Sequence, residues 1–278
     1  MATVIGIISV EQEQSFFAER YFREIITVAS QTVSGNDCYL RIMPPLPALA
    51  DPATTHAQLI GQGIEAVLVI APDEALLEQL AQTFRAMPSV IISSPRLDIA
   101  WSYVNSDNYG ALREIVTHLA GSGRRRIRLL QPSELSGDFA ERARGYHDAM
   151  AALGMNPAVG QLDHPIDDAG IDQQVLVDAP DALIATDDHD ALTLLSRLQR
   201  RGLRVPQDIA LVGFDDEDFA AETFPTLTTV SQPLSEMARR AALYLLARLA
   251  GVERDVYHLV LPNRLIVRES SGAAALKG

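Results

Sequence analysis

The chain has 278 residues, of which 47% are hydrophobic and 21% are charged. These proportions exclude disordered and fibrous proteins and are typical of a globular chain long enough for two domains. Lysine and arginine number 23 against 36 aspartate and glutamate residues, which gives a formal net charge of -13. Because such a charge repels a phosphate backbone, the chain alone is a poor candidate for nucleic-acid binding.

Neither an export signal nor a membrane span is predicted. Met1, Ala2 and Thr3 lead directly into the apolar residues 4–8, without a basic segment or a cleavage site. No apolar run approaches the ~20 residues that a membrane helix needs. The one cysteine, Cys38, lies in an apolar run, which favours a buried thiol. We therefore expect a cytoplasmic protein that does not contact a membrane.

Short β-branched runs alternate along the chain with segments of helical period, which predicts an α/β fold with parallel strands and crossover helices. In chain order, the predicted strands are residues 4–9, 38–42, 66–70, 90–93, 127–130, 182–186, 209–214 and 265–268. The clearest predicted helices cover the periodic apolar residues of 112–119, 191–198 and 234–250.

The sequence contains no complete catalytic or nucleotide-binding motif. Residues 61–66 fit G-x-G-x-x-A, but they precede a strand and do not open a helix, so they cannot cradle a pyrophosphate. The acidic clusters at 187–190 and 215–218 offer oxygens to a hard cation. Neither cluster follows a calcium-loop pattern, and the helix dipole favours carboxylates at a helix start in any case. We therefore predict no enzyme activity, no metal and no cofactor.

Residues 180–234 carry the most informative pattern. They contain a predicted strand, an amphipathic helix, a Val-Pro turn, a second strand ending in Gly-Phe-Asp-Asp at 213–216, and Leu-Thr-Thr-Val-Ser-Gln-Pro at 227–233. Three motifs precede them: Val-Asn-Ser-Asp-Asn-Tyr-Gly at 104–110, Gly-Arg-Arg-Arg-Ile at 123–127 and Glu-Arg-Ala-Arg-Gly-Tyr at 141–146. In order and spacing, these motifs resemble the effector-binding core of the LacI/GalR family of bacterial transcriptional regulators.

The resemblance implies a periplasmic-binding-protein-like type I fold, with two Rossmann-like lobes of parallel sheet joined by three crossings. The N-terminal lobe would comprise residues 1–121 and 233–262, and the C-terminal lobe residues 122–232 and 263–278. A ligand cleft would lie between the lobes.

The resemblance also implies a set of ligand-binding residues: Phe16, Phe17, Arg142, His164, Asp187, Asp215 and Gln232. An aromatic face packs against the apolar face of a sugar or base, while Arg142 and Asp215 each offer two parallel hydrogen bonds. Other roles remain open for some of these residues. The phenylalanines could begin a core helix, and Arg142 and Asp215 could form a structural ion pair.

The implied function is that of a small-molecule effector-binding and dimerisation core, in which ligand-driven lobe closure controls DNA binding. The expected partners are a small polar effector and a second copy of the chain in a homodimer. Operator DNA would bind only through an N-terminal headpiece, which we expect to be missing because the first predicted strand begins at Val4. The alternative is a solute-binding receptor of the same fold for transport or chemotaxis.

Overall fold

The computed structural model describes residues 3–9, 20–43, 52–72, 74–83, 87–94, 97–132, 137–162, 170–171 and 175–272. The chain forms two compact units, each an α/β structure with a parallel sheet. Unit 1 comprises Met1–Ser106 and Pro233–Leu261, and unit 2 comprises Asp107–Gln232 and Pro262–Gly278. The chain therefore passes between the units three times.

Unit 1 contains six described strands in one parallel sheet, in the order β11-β5-β4-β3-β1-β2. Its strands are β1 (Thr3–Ile8), β2 (Cys38–Ile42), β3 (Ile64–Ile70), β4 (Ser89–Ile92), β5 (Tyr103–Ser106) and β11 (His258–Leu261). Its described helices are α1 (Arg20–Ser34), α2 (Pro52–Gly61), α3 (Glu74–Thr83) and α7 (Leu234–Leu249). Apolar clusters cover both faces of the sheet, which explains the nearly continuous apolar runs of β1 and β3.

Unit 2 contains four described strands in a parallel sheet, in the order β7-β6-β8-β9, and an antiparallel pair, β10-β12. Its strands are β6 (Ile127–Gln131), β7 (Ala158–Gln161), β8 (Ala182–Ala185), β9 (Ala210–Val212), β10 (Thr229–Ser231) and β12 (Arg264–Ile266). Helices α4 (Asn108–Gly121) and α5 (Gly137–Ala152) share an apolar cluster with one face of the sheet. Helix α6 (Asp188–Arg200) packs in the cluster of the other face.

All eight predicted strands are present, with ends shifted by up to two residues. The pattern did not predict β5, β7, β10 and β11, because each has only three or four residues and includes polar, aromatic or glycine positions. The three helices predicted from the apolar period are present as α4, α6 and α7. Cys38 is buried, as expected. Among the described helices, none is both long and apolar enough to cross a bilayer.

The first boundary between the units differs from the expected position. The sequence placed it after residue 121, whereas α4 lies entirely in unit 2. Its buried residues Leu112, Ile115, Val116 and Leu119 join the core that includes Ile127 of β6. A helical period shows which face of α4 is apolar but not which sheet covers it, so the sequence alone could not fix this boundary.

Candidate functional site

Polar side chains gather where the parallel strands of unit 2 end. In open α/β sheets, ligands bind beyond the carboxyl ends of the strands, so this edge is the natural place for a site. We call it the polar edge and define it by residues Asn108, Gln131, Arg142, Thr186, Asp187, Asp215 and Gln232.

Arg142 of α5 is the central cation of the polar edge, and it is buried. Its Nε donates to Asn108 Oδ1 at 2.8 Å, and its Nη1 donates to the carbonyl oxygen of Thr186. The guanidinium carbon lies 3.6 Å from the centre of the Phe214 ring, close enough for a cation–π contact. Arg142 is therefore held in one orientation by α4, by the end of β8 and by the loop after β9.

The motif at 141–146 explains how α5 presents this arginine. Gly145 faces the backbone of Tyr109 on α4, and any Cβ at this position would collide with the Tyr109 carbonyl oxygen. Tyr146 is fully buried, and its hydroxyl donates to the carbonyl oxygen of Ile127 at 2.7 Å. The glycine permits the close approach of α4 and α5, and the tyrosine fixes α5 to the sheet, so Arg142 reaches Asn108.

Asp215 and Gln232 lie on two neighbouring segments that follow β9 and β10. Gln232 Nε2 donates to Asp215 Oδ1 at 2.7 Å, and the Asp215 amide donates to the Val230 carbonyl oxygen at 2.9 Å. Burial raises the pKa of Asp215, the charge of Asp187 raises it further, and Arg142 and Gln232 act in the opposite direction. The Asp215 backbone has a φ of 101°, which is strained for a non-glycine residue and typical of functional sites.

Asp187 caps helix α6. Its Oδ1 accepts a hydrogen bond from the Asp190 amide at 2.7 Å, and its backbone is extended. A carboxylate has two oxygens and can accept several bonds, so capping leaves acceptor capacity at Asp187.

Asp188, the next residue, lies beneath the polar edge and is fully buried. It accepts hydrogen bonds from the Thr229 hydroxyl at 2.7 Å and from the Glu217 amide at 2.8 Å. Gly213 leaves room for this carboxylate, because a Cβ there would collide with Asp188 Oδ1. Asp188 thus joins α6, β10 and the segment after β9, which accounts for the glycine in Gly-Phe-Asp-Asp.

The structure brings together four of the seven predicted site residues: Arg142, Asp187, Asp215 and Gln232. The other three, Phe16, Phe17 and His164, lie outside the described residues. Sequence reasoning did not assign Asn108, Gln131, Thr186 and Phe214 to the site, although Asn108 and Phe214 belong to motifs that it had recognised. The sequence could have pointed to these four residues through their positions at strand ends or at a helix start. It could not have shown their hydrogen-bond partners, because those depend on how the elements pack.

The comparisons with known proteins agree with this architecture. The sequence profile of the periplasmic binding protein-like domain matches residues 116–271. The HTH-type transcriptional regulator CelR of Thermobifida fusca is 30% identical over 278 residues, which cover 96% of this chain and 80% of CelR. The HTH-type transcriptional repressor CytR of Escherichia coli (strain K12) is 27% identical, with 91% of this chain and 76% of CytR covered. A solved CelR–cellobiose complex has a TM-score of 0.83 at 27% identity, and the match covers 97% of this chain and 86% of that chain.

Proposed function

The chain belongs to the periplasmic binding protein-like domain family, as an effector-binding core of the LacI type of transcriptional regulator, and we propose that its effector is a sugar. The polar edge carries this proposal. It combines a buried, oriented arginine, the carboxylate of Asp215 and the amide of Gln232. These groups can form hydrogen bonds with pairs of sugar hydroxyls. The similar transcriptional regulator CelR was solved in complex with cellobiose.

Three residues of the polar edge have proposed roles as hydrogen-bonding partners of the ligand. Arg142 donates to ligand oxygens with the N–H groups that its protein contacts leave over, since a guanidinium carries five donors. Asp215 and Asp187 accept from ligand hydroxyls. Contact of Phe16, Phe17 and His164 with the effector stays a prediction.

The proposed activity is binding without catalysis, in the cytoplasm. The similar proteins are named as an HTH-type transcriptional regulator (CelR) and an HTH-type transcriptional repressor (CytR), and proteins of this class act by binding. Because the chain is similar to these regulators, we propose that effector binding controls operator DNA binding by a helix-turn-helix headpiece. We also propose that the core works as a homodimer, because a two-fold operator is matched by a two-fold protein.

A sugar panel tests the proposed effector class. The panel consists of cellobiose, D-glucose and D-ribose, each added to the purified chain in a thermal-shift assay. A sugar at ~100 times its Kd adds about 2.7 kcal/mol to the free energy of unfolding, which raises the melting temperature measurably. Amino acids of similar size serve as the control. The sugar proposal would be excluded if no sugar raised the melting temperature while an amino acid raised it clearly.

A further inference from the structure

Two buried oxygens at the polar edge have no hydrogen-bond partner among the described residues: Gln131 Oε1 and Thr186 Oγ1. Thr186 is 2% exposed, so its hydroxyl is also removed from bulk solvent. An unsatisfied buried polar atom destabilises the fold, and native proteins pair the large majority of such atoms. Two of them at one place indicate a partner that does not belong to the described part of the chain.

The strand register places these two side chains next to each other. Leu130 of β6 pairs with Ala185 of β8, so Gln131 and Thr186 follow at the next position on neighbouring parallel strands. Side chains alternate between the two faces of a sheet. The residues two and four positions earlier belong to the cluster that packs against α4 and α5; they are Ile127, Leu129, Ala182 and Ile184. Gln131 and Thr186 therefore share the face on which Arg142 lies.

Arg142 ties this pair to the rest of the polar edge, because its Nη1 donates to the carbonyl oxygen of Thr186. The two groups also complement the arginine chemically. A guanidinium only donates hydrogen bonds, Gln131 Oε1 only accepts them, and the Thr186 hydroxyl does both. A sugar hydroxyl, which donates and accepts, can satisfy all three.

We infer that Gln131 and Thr186 form a further subsite for the effector, in which a ligand hydroxyl donates to Gln131 Oε1 and another bonds with Thr186 Oγ1. This inference rests on the proposed function and deepens it. It assigns specificity to two residues that the sequence did not identify as ligand-binding, and it requires hydroxyl donors on the part of the ligand that lies against β6 and β8.

The first arm of the test measures melting temperature without ligand for Thr186→Val and Gln131→Leu. Both variants should melt at or above the wild-type temperature, because each removes a buried polar atom that lacks a partner. Thr228→Val is the matched contrast. Thr228 is equally buried, but its hydroxyl bonds with the amide and carbonyl oxygen of Arg268 at 2.8 Å and 2.9 Å, so this variant should melt several degrees lower. A clear drop for Thr186→Val or Gln131→Leu would overturn the inference.

The second arm measures affinity by calorimetry, with the panel sugar that stabilises the wild type most. Each variant should bind roughly tenfold more weakly, the usual effect of one lost hydrogen bond. Thr193→Val, a partly exposed site on α6, serves as the control and should bind like the wild type. Unchanged affinity in both variants would overturn the subsite but leave the proposed function standing. If the wild type binds no panel sugar, the proposed function fails, and the subsite inference that rests on it fails as well.

Discussion

Asp188 shows how a single buried residue supports the polar edge. Its carboxylate accepts bonds from Thr229 and Glu217, and so it holds together three segments of unit 2. Burial raises the pKa of Asp188 to about 8, and the charges of Asp215 and Asp216 add to this rise. The hydrogen bonds from Thr229 and Glu217 lower the pKa but do not outweigh burial. The sequence had shown Asp188 only as one member of an acidic cluster, because its neighbours come from distant parts of the chain.

The raised pKa of Asp188 predicts a pH-dependent stability. Between about pH 4 and pH 8 the folded chain keeps a proton that the unfolded chain has lost, so the free energy of unfolding falls as pH rises through this window. The slope from one such group is at most about 1.4 kcal/mol per pH unit. The Asp188→Asn variant lacks the titrating carboxyl, so its free energy of unfolding should fall less as pH rises than that of the wild type. Urea unfolding of both proteins from pH 5 to pH 9 measures this difference in slope.

The control for this prediction is Asp208→Asn. Asp208 is an acidic residue whose pKa is lowered to about 2, first of all by its hydrogen bond with the Arg204 side chain. Its contribution to stability is present above about pH 4 and is lost only as pH falls below that value, so from pH 5 to pH 9 its variant should parallel the wild type. A constant difference between Asp188→Asn and the wild type over the same range would refute the prediction.

At the scale of elements, the long strands and the amphipathic helices could be predicted from the sequence, because their apolar period is clear. The motif residues Arg142 and Asp215 could also be assigned to the site. Gln131 and Thr186 could not, because their meeting depends on the register of β6 and β8. Likewise, Asn108 was visible as a residue at a helix start, but its bond to Arg142 depends on the packing of α4 against α5.

The packing of α4 against α5 predicts the effect of Gly145→Ala. The new Cβ meets the backbone of Tyr109, which cannot turn away as a side chain could, so the two helices must separate. Overpacking of this kind costs ~1–3 kcal/mol of the free energy of unfolding. The separation should also loosen the bond between Arg142 and Asn108 and weaken sugar binding.

Gly121→Ala, at the end of α4, is the matched control, because nothing lies within 4 Å of a Cβ there. Chemical denaturation and calorimetry should give values for this variant that are close to those of the wild type. Equal stability of the Gly145 and Gly121 variants would contradict the close-packing explanation of the motif.

At the scale of the whole molecule, the proposed homodimer is open to direct measurement. Unit 2 carries a phenylalanine, Phe224, that is 86% exposed, and we propose that it takes part in the dimer contact. Aromatic side chains, phenylalanine among them, are enriched at protein–protein interfaces relative to the rest of the surface. Sedimentation at micromolar concentration should report twice the chain mass of 30.3 kDa, and Phe224→Ser should weaken the association.

Val252→Ser is the control for the dimer, because Val252 is 82% exposed on unit 1 and its replacement should leave the association unchanged. A wild-type chain that sediments only as a monomer would contradict the proposal. A stronger effect of Val252→Ser than of Phe224→Ser would move the contact to unit 1.

The central claim is that the polar edge of unit 2 binds a sugar through Arg142. Calorimetry with the panel sugar that stabilises the wild type most should give one binding site per chain. Arg142→Lys should weaken that affinity at least roughly tenfold, because lysine keeps the charge but loses the planar set of donors. Arg144→Lys, two residues further along α5 in an exposed ion pair with Glu141, should bind like the wild type. Equal affinity of Arg142→Lys and the wild type, or no binding of any panel sugar, would contradict the claim.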